Sequence, residues 1–356
     1  MTLVLNNADV ESLLSMGDCI ESVEQAFHDL GTGNATNRPR ALSYSPLGSG
    51  HYYMFSSMDG SLPRHGIHIL RLTSDHIFET EYKGMPRREK LPKAPNSRYC
   101  GLVLLFSLDL LEPLAIMQDA VLNRMMIGAT SAIAAKYMSR PDATNMALLG
   151  AGWLAPTQVL GHCVVRSIGQ IKVYSPNPEH RQGLCRDLSD KVEADLIPVA
   201  TARAAVEGSD IIACATNSYE PVFDGSWLRP GHHVGSVQVG ELDDLTHERA
   251  AIITTRAMEP ASSWSPPGTM PRDRGWFQRW QPQWNKKLRE LGKIVARLER
   301  GRDSATDITL FGGIGTGPSS GLGIQYAPGI VAYRRAVEKG LGYELPTELL
   351  LEVFHP

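Results

Sequence analysis

The residues with the plainest chemical purpose lie in Met146-Ala-Leu-Leu-Gly150-Ala-Gly152-Trp153-Leu154-Ala155-Pro-Thr-Gln-Val-Leu-Gly161, an apolar run, a Gly-x-Gly-x-x-Ala turn and a helical pattern in immediate succession. In a dinucleotide site the first glycine permits a tight turn and the second lets the backbone reach the pyrophosphate. The small third residue packs helix on strand, and the helix N-terminus faces the anion. Gly150, Gly152, Trp153 and Leu154 are therefore candidate cofactor-binding residues. A glycine turn with no ligand is the competing reading, and it explains less of the strand, turn and helix order.

A second apolar run, Ile171 to Tyr174, ends where an acid usually holds the ribose 2′-hydroxyl of NAD, and Ser175 stands there instead. With Asn177, His180 and Arg181 close behind, a 2′-phosphate meets less repulsion and finds possible donors. NADP is favoured slightly over NAD; a surface Arg181 with no ligand is the alternative.

These residues need elements to hold them. Positions 9 to 30 have helical periodicity ended by Gly31-Thr-Gly33. Tyr52 to Phe55, Ile67 to Leu72, Leu102 to Phe106 and Leu114 to Met117 are short β-type runs broken by Gly and Pro, which predict a mostly antiparallel sheet. Between them, 83–98 is basic, proline-rich and aperiodic, a solvated loop or an active-site flap. An Ala- and Met-rich helix over Leu122 to Met138 links to alternating elements: strand Asn145 to Leu149, helix from Ala155, strand Ile171 to Tyr174, helix from Glu179, strand Ile211 to Ala215. That alternation predicts an α/β fold with a Rossmann, doubly wound parallel sheet. Asp307 to Phe311 adds a strand, Gly312 to Gly323 a glycine-rich turn, and helices over Ile324 to Lys339 and Leu345 to Phe354 close the chain. The expected division is a substrate and dimerisation domain of 1–120 with 321–356, into which an NAD(P)-binding domain, 121–320, is inserted.

Composition narrows the partners. A length of 356 residues suits two cores, and 42% hydrophobic with 21% charged residues is ordinary for a globular protein. A net charge of -3 with no basic stripe argues against nucleic acid and anionic membrane. The N-terminus does not read as a signal peptide, and the expectation is a cytoplasmic protein with small-molecule partners. Cys19, Cys100, Cys163, Cys185 and Cys214 are scattered without a Cys-x-x-Cys, so neither a disulfide framework nor a metal site is expected.

Several stretches in order carry a wider resemblance: Gly128-Ala-Thr-Ser-Ala-Ile-Ala-Ala-Lys-Tyr137, Ala205-Val-Glu-Gly-Ser-Asp-Ile211, Ala215-Thr216-Asn217-Ser218, Trp227-Leu-Arg-Pro-Gly-His-His233-Val234, Glu241-Leu-Asp243, Gly301-Arg-Asp-Ser and Asp307-Ile-Thr-Leu-Phe311. With the glycine turn, they resemble the ornithine cyclodeaminase and mu-crystallin family of NAD(P)-dependent imine reductases, amino-acid dehydrogenases and cyclodeaminases. The resemblance implies a homodimer formed through the non-Rossmann domain and an active site between domains. It implies that Thr216 and Asn217 line the cofactor, that His233, Val234 and Gly235 border the nicotinamide, and that Ile314 and Gly315 approach it from the other side. It also places Arg40 on the substrate carboxylate, a task suited to the planar guanidinium fork; Arg38 is a less favoured stand-in.

The substrate half departs from that family. Where a Lys usually follows a Gly on the next strand, Gly66-Ile-His68-Ile-Leu-Arg71 has none. His68 holds the position by spacing and is a candidate acid/base; Arg71 is the nearest permanent cation and a candidate anion binder. Three residues apart on a strand, they face opposite ways unless a bulge intervenes. Met126-Ile127 replace the usual helical Arg-Thr, and Ser236-Val-Gln-Val-Gly240 is a shortened loop without the Asp of deaminating members. An imine or ketimine reductase or amino-acid dehydrogenase acting on a small carboxylate-bearing amine or imine is expected. The alternatives are an ornithine cyclodeaminase-type ammonia lyase and a catalytically silent mu-crystallin-like binding protein. The Trp-rich 264–284 segment is a packing or dimer contact, or a substrate lid.

Overall fold

In the computed structural model, residues 1–82, 85–270, 281–312 and 321–354 are described. Alternation sorts the first half into strands β1 (Thr2–Leu5), β2 (Thr36–Gly48), β3 (His51–Leu62), β4 (Ile67–Tyr82), β5 (Met85–Leu91), β6 (Cys100–Ser107) and β7 (Pro113–Gln118). With β14 (Ser262–Trp264) and β17 (Tyr343–Leu345) they form a nine-stranded sheet in the order β14-β2-β3-β4-β6-β7-β1-β17, with β5 paired to β4. It is mostly antiparallel, as expected; β1 with β7 and β14 with β2 are parallel. Ile67, Ile69, Val103, Leu105, Ala115 and Met117 turn inward from alternate positions and are buried.

The second sheet is parallel throughout. Its strands are β8 (Asn145–Leu149), β9 (Gln170–Tyr174), β10 (Asp195–Pro198), β11 (Ile211–Cys214), β12 (His233–Ser236), β13 (Ile252–Thr255), β15 (Leu288–Glu290) and β16 (Thr309–Phe311), in the order β10-β9-β8-β11-β12-β16-β13-β15. Strands β8 and β11 to β13 are buried at nearly every position, as strands covered on both faces must be. Order reverses at β8, so the crevice for a ligand lies beyond the carboxyl ends of β8 and β11.

Helices α1 (Asn7–Leu13), α2 (Met16–Gly31), α3 (Asp119–Met138), α4 (Ala155–Val165), α5 (Pro178–Leu188), α6 (Ala202–Val206), α7 (Asp244–Arg249), α8 (Leu291–Val295) and α9 (Pro328–Lys339) complete the chain. Helix α3 is the spine between the sheets: Ala129, Ala132, Ile133, Ala134 and Ala135 are fully buried, and Gly128 lets α4 approach so closely that a Cβ would lie 2.6 Å from Thr157.

Four expectations change. The opening helix is two, because Ser15 caps α2 by accepting from Asp18 N while Asp18 bonds back to Ser15 N. Within 83–98, β5 extends the sheet instead of forming a loop. Residues 345–354 are not a helix: Leu345 ends β17, Pro346 stops it, and Thr347–Leu350 is a single 3-10 turn. The 121–320 block is interrupted by β14, which crosses to the first sheet and pairs Ser262 with Ala41. From the Trp-rich segment, Trp264 is exposed on β14, whereas Trp284 is buried and stacks on His247 at 4.7 Å between ring centroids; 271–280, with Trp276 and Trp280, lie outside the described residues.

Candidate active site between the two sheets

The glycine turn follows β8 directly and runs into α4. Gly150 has φ +115°, and a Cβ there would lie 2.3 Å from the Ala215 carbonyl oxygen, so only glycine passes between β8 and β11. Gly152 is different: a Cβ added to it would meet nothing within 4 Å. That open backbone at the N-terminus of α4 fits a pyrophosphate cradle. Trp153 is 58% exposed, and the Arg124 guanidinium lies 4.5 Å from its ring centroid. Leu154 precedes the first residue of α4.

Ser175 is buried at the end of β9, and Arg181 Nη1 donates to its carbonyl oxygen at 2.7 Å. Asn177 caps α5 by accepting from Glu179 N at 2.9 Å. The three residues named for the adenosine ribose thus share one strand end.

Beyond β11 and β12, a residue with no assigned role organises the edge. Glu241 is fully buried; its Oε1 accepts from Thr216 N at 2.5 Å, and its Oε2 from Ser236 Oγ, Val237 N and Gln238 N at 2.9, 3.0 and 2.9 Å. Burial raises its pKa, against the pull of these donors. Glu241 ties the turn carrying Thr216 and Asn217 to the loop after Ser236. Its place in the Glu-Leu-Asp motif was the available signal.

Register corrects His233. It pairs with Ile211 and Thr309 at the amino end of β12, whereas Ser236 pairs with Cys214 at the carboxyl end. His233 is buried, its Nδ1 shares a hydrogen bond with Thr309 Oγ1 at 2.9 Å, and burial pushes its pKa well down. Val234 is likewise interior to the strand, and Gly235 sits one residue from the edge. Ser236 is the β12 residue at the ligand crevice. Ile314 and Gly315 lie outside the described residues.

On the substrate side the structure brings Arg40 and Arg71 together. Arg38 pairs with Asp59 and Ala41 with Ser57, so β2 carries an extra residue there, and this bulge turns Arg40 inward. Its Nη2 lies beside Gly321, and its buried Nε has no hydrogen-bond partner among the described residues. Burial, then the nearby Arg71, bring the Arg40 pKa down to about 10. Arg71 projects from the inward face of β4; its Nε and Nη2 donate to Asp119 Oδ2 at 2.9 and 2.6 Å, and its guanidinium lies 5.8 Å from the Tyr326 ring centroid. Tyr326 is buried and donates to Asn123 Oδ1 at 2.8 Å.

His68 is not brought to this cluster. It faces the other side of β4, with Nδ1 2.8 Å from Ser61 Oγ and Nε2 3.7 Å from Asp59 Oδ2, beside the Arg38–Asp59 ion pair. No bulge in the β3–β4 register restores it to the Arg71 face. Arg38, bound to Asp59, does not stand in for Arg40.

Arg256 is the residue sequence reasoning missed. It follows β13 at the carboxyl edge of the parallel sheet, half-buried, with its guanidinium 5.2 Å from the Phe311 ring centroid. Burial, then Arg40, lower its pKa to about 10. Nothing in its local sequence, Thr254-Thr-Arg256-Ala-Met, marks it. Among the described residues no group of His, Cys, Asp and Glu could hold a metal ion, and no helix is long and apolar enough to cross a membrane.

The same combination of sheets occurs in Thermococcus litoralis Delta(1)-pyrroline-2-carboxylate reductase in complex with NADH and L-proline, 29% identical, with a TM-score of 0.75 over 97% of this chain and 100% of that one. Alanine dehydrogenase of Archaeoglobus fulgidus is 25% identical over 354 residues, 97% of this chain and 98% of that protein. Delta(1)-pyrroline-2-carboxylate reductase of Bacillus cereus is 26% identical over 263 residues, 72% of this chain and 77% of that protein. The Ornithine cyclodeaminase/mu-crystallin family model matches residues 1–319, from the N-terminal strands of the first sheet through the whole parallel sheet, and the chain belongs to that family.

Proposed function

We propose that the chain is an NAD(P)-dependent oxidoreductase acting on the C–N bond of a small amine or imine that bears a carboxylate. The supporting observation is the buried Nε of Arg40, which has no hydrogen-bond partner among the described residues and belongs to a side chain turned inward at the β2 bulge. A guanidinium desolvated without a carboxylate is costly, and a substrate carboxylate would offset that cost. Arg40 is the anchor; Arg71, committed to Asp119, lends charge and holds the pocket wall.

When bound, the nicotinamide supplies or accepts the hydride at the substrate carbon. The chain's share is to bind and orient. Gly150 and Gly152 seat the pyrophosphate, Glu241 holds the Thr216 and Ser236 loops at the crevice, and Arg40 fixes the carboxylate. His68 faces the opposite side of β4 from Arg71, against Ser61 and Asp59, and we assign the nitrogen proton to solvent.

Both nucleotides fit this site. Ser175 offers no negative charge, and Arg181 stands at its carbonyl; NADP(H) is therefore accepted at least as well as NAD(H). Arg181→Ala is expected to raise the KM for NADP(H) several-fold and to leave that for NAD(H) within twofold. A tenfold preference of the wild type for NAD(H) would refute this assignment.

The activity test is nucleotide titration alongside NAD(P)H oxidation with cyclic imino acids and with 2-oxo acids plus ammonia. Turnover with Arg40→Ala reduced at least 100-fold in kcat/KM is expected. Nucleotide binding without turnover would point to a binding protein, and binding of neither nucleotide would end the proposal.

A further inference from the structure

The glycine turn has a cationic neighbour from another helix. On α3 the stripe Arg124, Gly128 and Ala132 recurs every fourth residue and faces α4. A Cβ on Gly128 would lie 2.6 Å from Thr157, and one on Gly161 would lie 3.0 Å from that of Ala132. Position 128 therefore sits beside 157 and 132 beside 161, so the two helices run parallel at a constant offset. One turn earlier, about 5.4 Å towards the N-terminus, the same offset sets Arg124 beside Trp153. Its guanidinium carbon lies 4.5 Å from the indole centroid.

The end of α4 that Arg124 flanks is poor in negative charge. No acidic residue stands in its first turn, and Leu154 at the N-cap offers no side-chain acceptor. The N–H groups of Gly152, Trp153 and Leu154 donate to no acceptor among the described residues. Such a terminus favours an anion. Arg124 has donors to spare for one: its Nε is buried without a hydrogen-bond partner, and its Nη1 donates to no described residue. Its Nη2 donates to Glu11 Oε1 on α1, but the Glu11 side chain is 62% exposed, and a carboxylate so placed is a weak competitor. The Trp153 ring is largely exposed and adds little to the core; it is a platform that fixes the plane of the guanidinium.

We infer that Arg124, held on the Trp153 ring, meets the pyrophosphate of the bound dinucleotide, with Glu11 as its resting partner in the free protein. The inference rests on the proposed reading of the glycine turn as a nucleotide site and adds two residues to it: Arg124 as a binding residue and Trp153 as the residue that positions it. A pyrophosphate bridge carries two negative charges, and a helix N-terminus offers only about half a positive one. A guanidinium supplies charge and paired donors to the same oxygens. The bridge is common to NAD and NADP, so this contribution is independent of which of the two is preferred.

The test uses ligands that differ in the bridge and needs no turnover. The full chain is titrated calorimetrically with ADP-ribose, which has the pyrophosphate and no nicotinamide, and adenosine, which has neither, is measured by displacement of ADP-ribose. Arg124→Gln is expected to weaken ADP-ribose at least tenfold and to leave adenosine within twofold. Arg124→Lys, which keeps the charge without the planar fork, is expected to recover part of the loss. Trp153→Leu should weaken ADP-ribose about threefold, and Trp153→Phe, which keeps an aromatic face, should restore it. Added salt should weaken ADP-ribose binding less steeply in Arg124→Gln than in the wild type.

Glu11→Gln tests the opposite sign. Release of Arg124 is expected to tighten ADP-ribose at least twofold, a gain that a damaged fold cannot produce. Unchanged ADP-ribose affinity in Arg124→Gln, an equal loss for adenosine, or no gain in Glu11→Gln would overturn the inference. An Arg124→Gln variant that binds ADP-ribose like the wild type and raises only the KM of the acid substrate would assign Arg124 to the substrate and overturn it as well. A wild type that binds neither ADP-ribose nor NAD(P)H ends the nucleotide reading itself; tight ADP-ribose binding in every variant ends only this inference.

Discussion

At the scale of single residues, the two glycines of the nucleotide turn do different work, and the difference is measurable. Gly150 is needed by the fold: its positive φ and the 2.3 Å clearance to Ala215 O leave no place for a Cβ. Gly152 is needed by a ligand, since its Cβ position is open. Gly150→Ala should therefore lower Tm by several degrees, with at least about 2 kcal/mol lost to strain and overlap. Gly152→Val should leave Tm of the free protein nearly unchanged and abolish nucleotide binding in a fluorescence titration. Equal loss of Tm in both variants would undo the distinction. Both glycines are legible in the sequence, because the requirement is local to a strand, turn and helix. The depressed basicity of Arg256 is not legible, because it comes from burial and from Arg40, more than two hundred positions away in the chain.

Elements decide what the residues can reach. The carboxylate of Glu241 bridges the ends of β11 and β12 through four donors. Glu241→Gln replaces one acceptor oxygen by a donor facing backbone N–H groups, a loss of about 1–3 kcal/mol for each group left unpaired. Isothermal titration should show nucleotide affinity falling at least tenfold; unchanged affinity would remove Glu241 from a positioning role. At the opposite edge of the sheet, His162, His232 and His233 are buried. Desolvation lowers His162 and His232 to about 4 and pushes His233 well below its ordinary value. His232 Nδ1 accepts from Arg229 N at 3.1 Å, which requires a neutral ring.

The sign follows from linkage. Below the unfolded pKa of about 6.5, the unfolded chain takes up protons that the folded one refuses, so stability falls as pH drops towards 4, by at most about 3 kcal/mol for each of His162 and His232. Tm should decline steeply from pH 6.5 to 4, and His162→Gln should flatten part of that slope. A level Tm profile across the interval would contradict neutral burial. The histidines show what an element's register adds: His233 looked like a nicotinamide neighbour beside Val234 and Gly235, and the β11–β12 pairing carries it to the far end of the strand.

For the whole molecule, the nine-stranded sheet leaves one face partly in water. Leu70 pairs with Leu104, Leu72 with Leu102, and Leu104 with Ile116, and all five side chains are only half-buried. An apolar strip across neighbouring strands on one face is a surface that association would cover. We expect a homodimer through this face, with a light-scattering mass twice the 39.0 kDa of the chain and Leu104→Asp shifting it to monomer. A monomeric wild type at micromolar concentration would refute it. His68 stands on this outer face, opposite Arg71 on β4, so its role is expected at the subunit boundary.

The sequence by itself determined the parallel α/β half, the glycine turn and the family, because a turn's backbone demands and a strand's alternation are local properties written in consecutive residues. It also established that His68 and Arg71 face apart, since adjacent side chains of a strand must alternate. Only the tertiary structure decided which of the two faces is the pocket, that Arg71 is spent on Asp119, and that β14 leaves one sheet to join the other. Those outcomes depend on packing between segments far apart in the chain, where electrostatics and burial act across space and leave no periodicity to read.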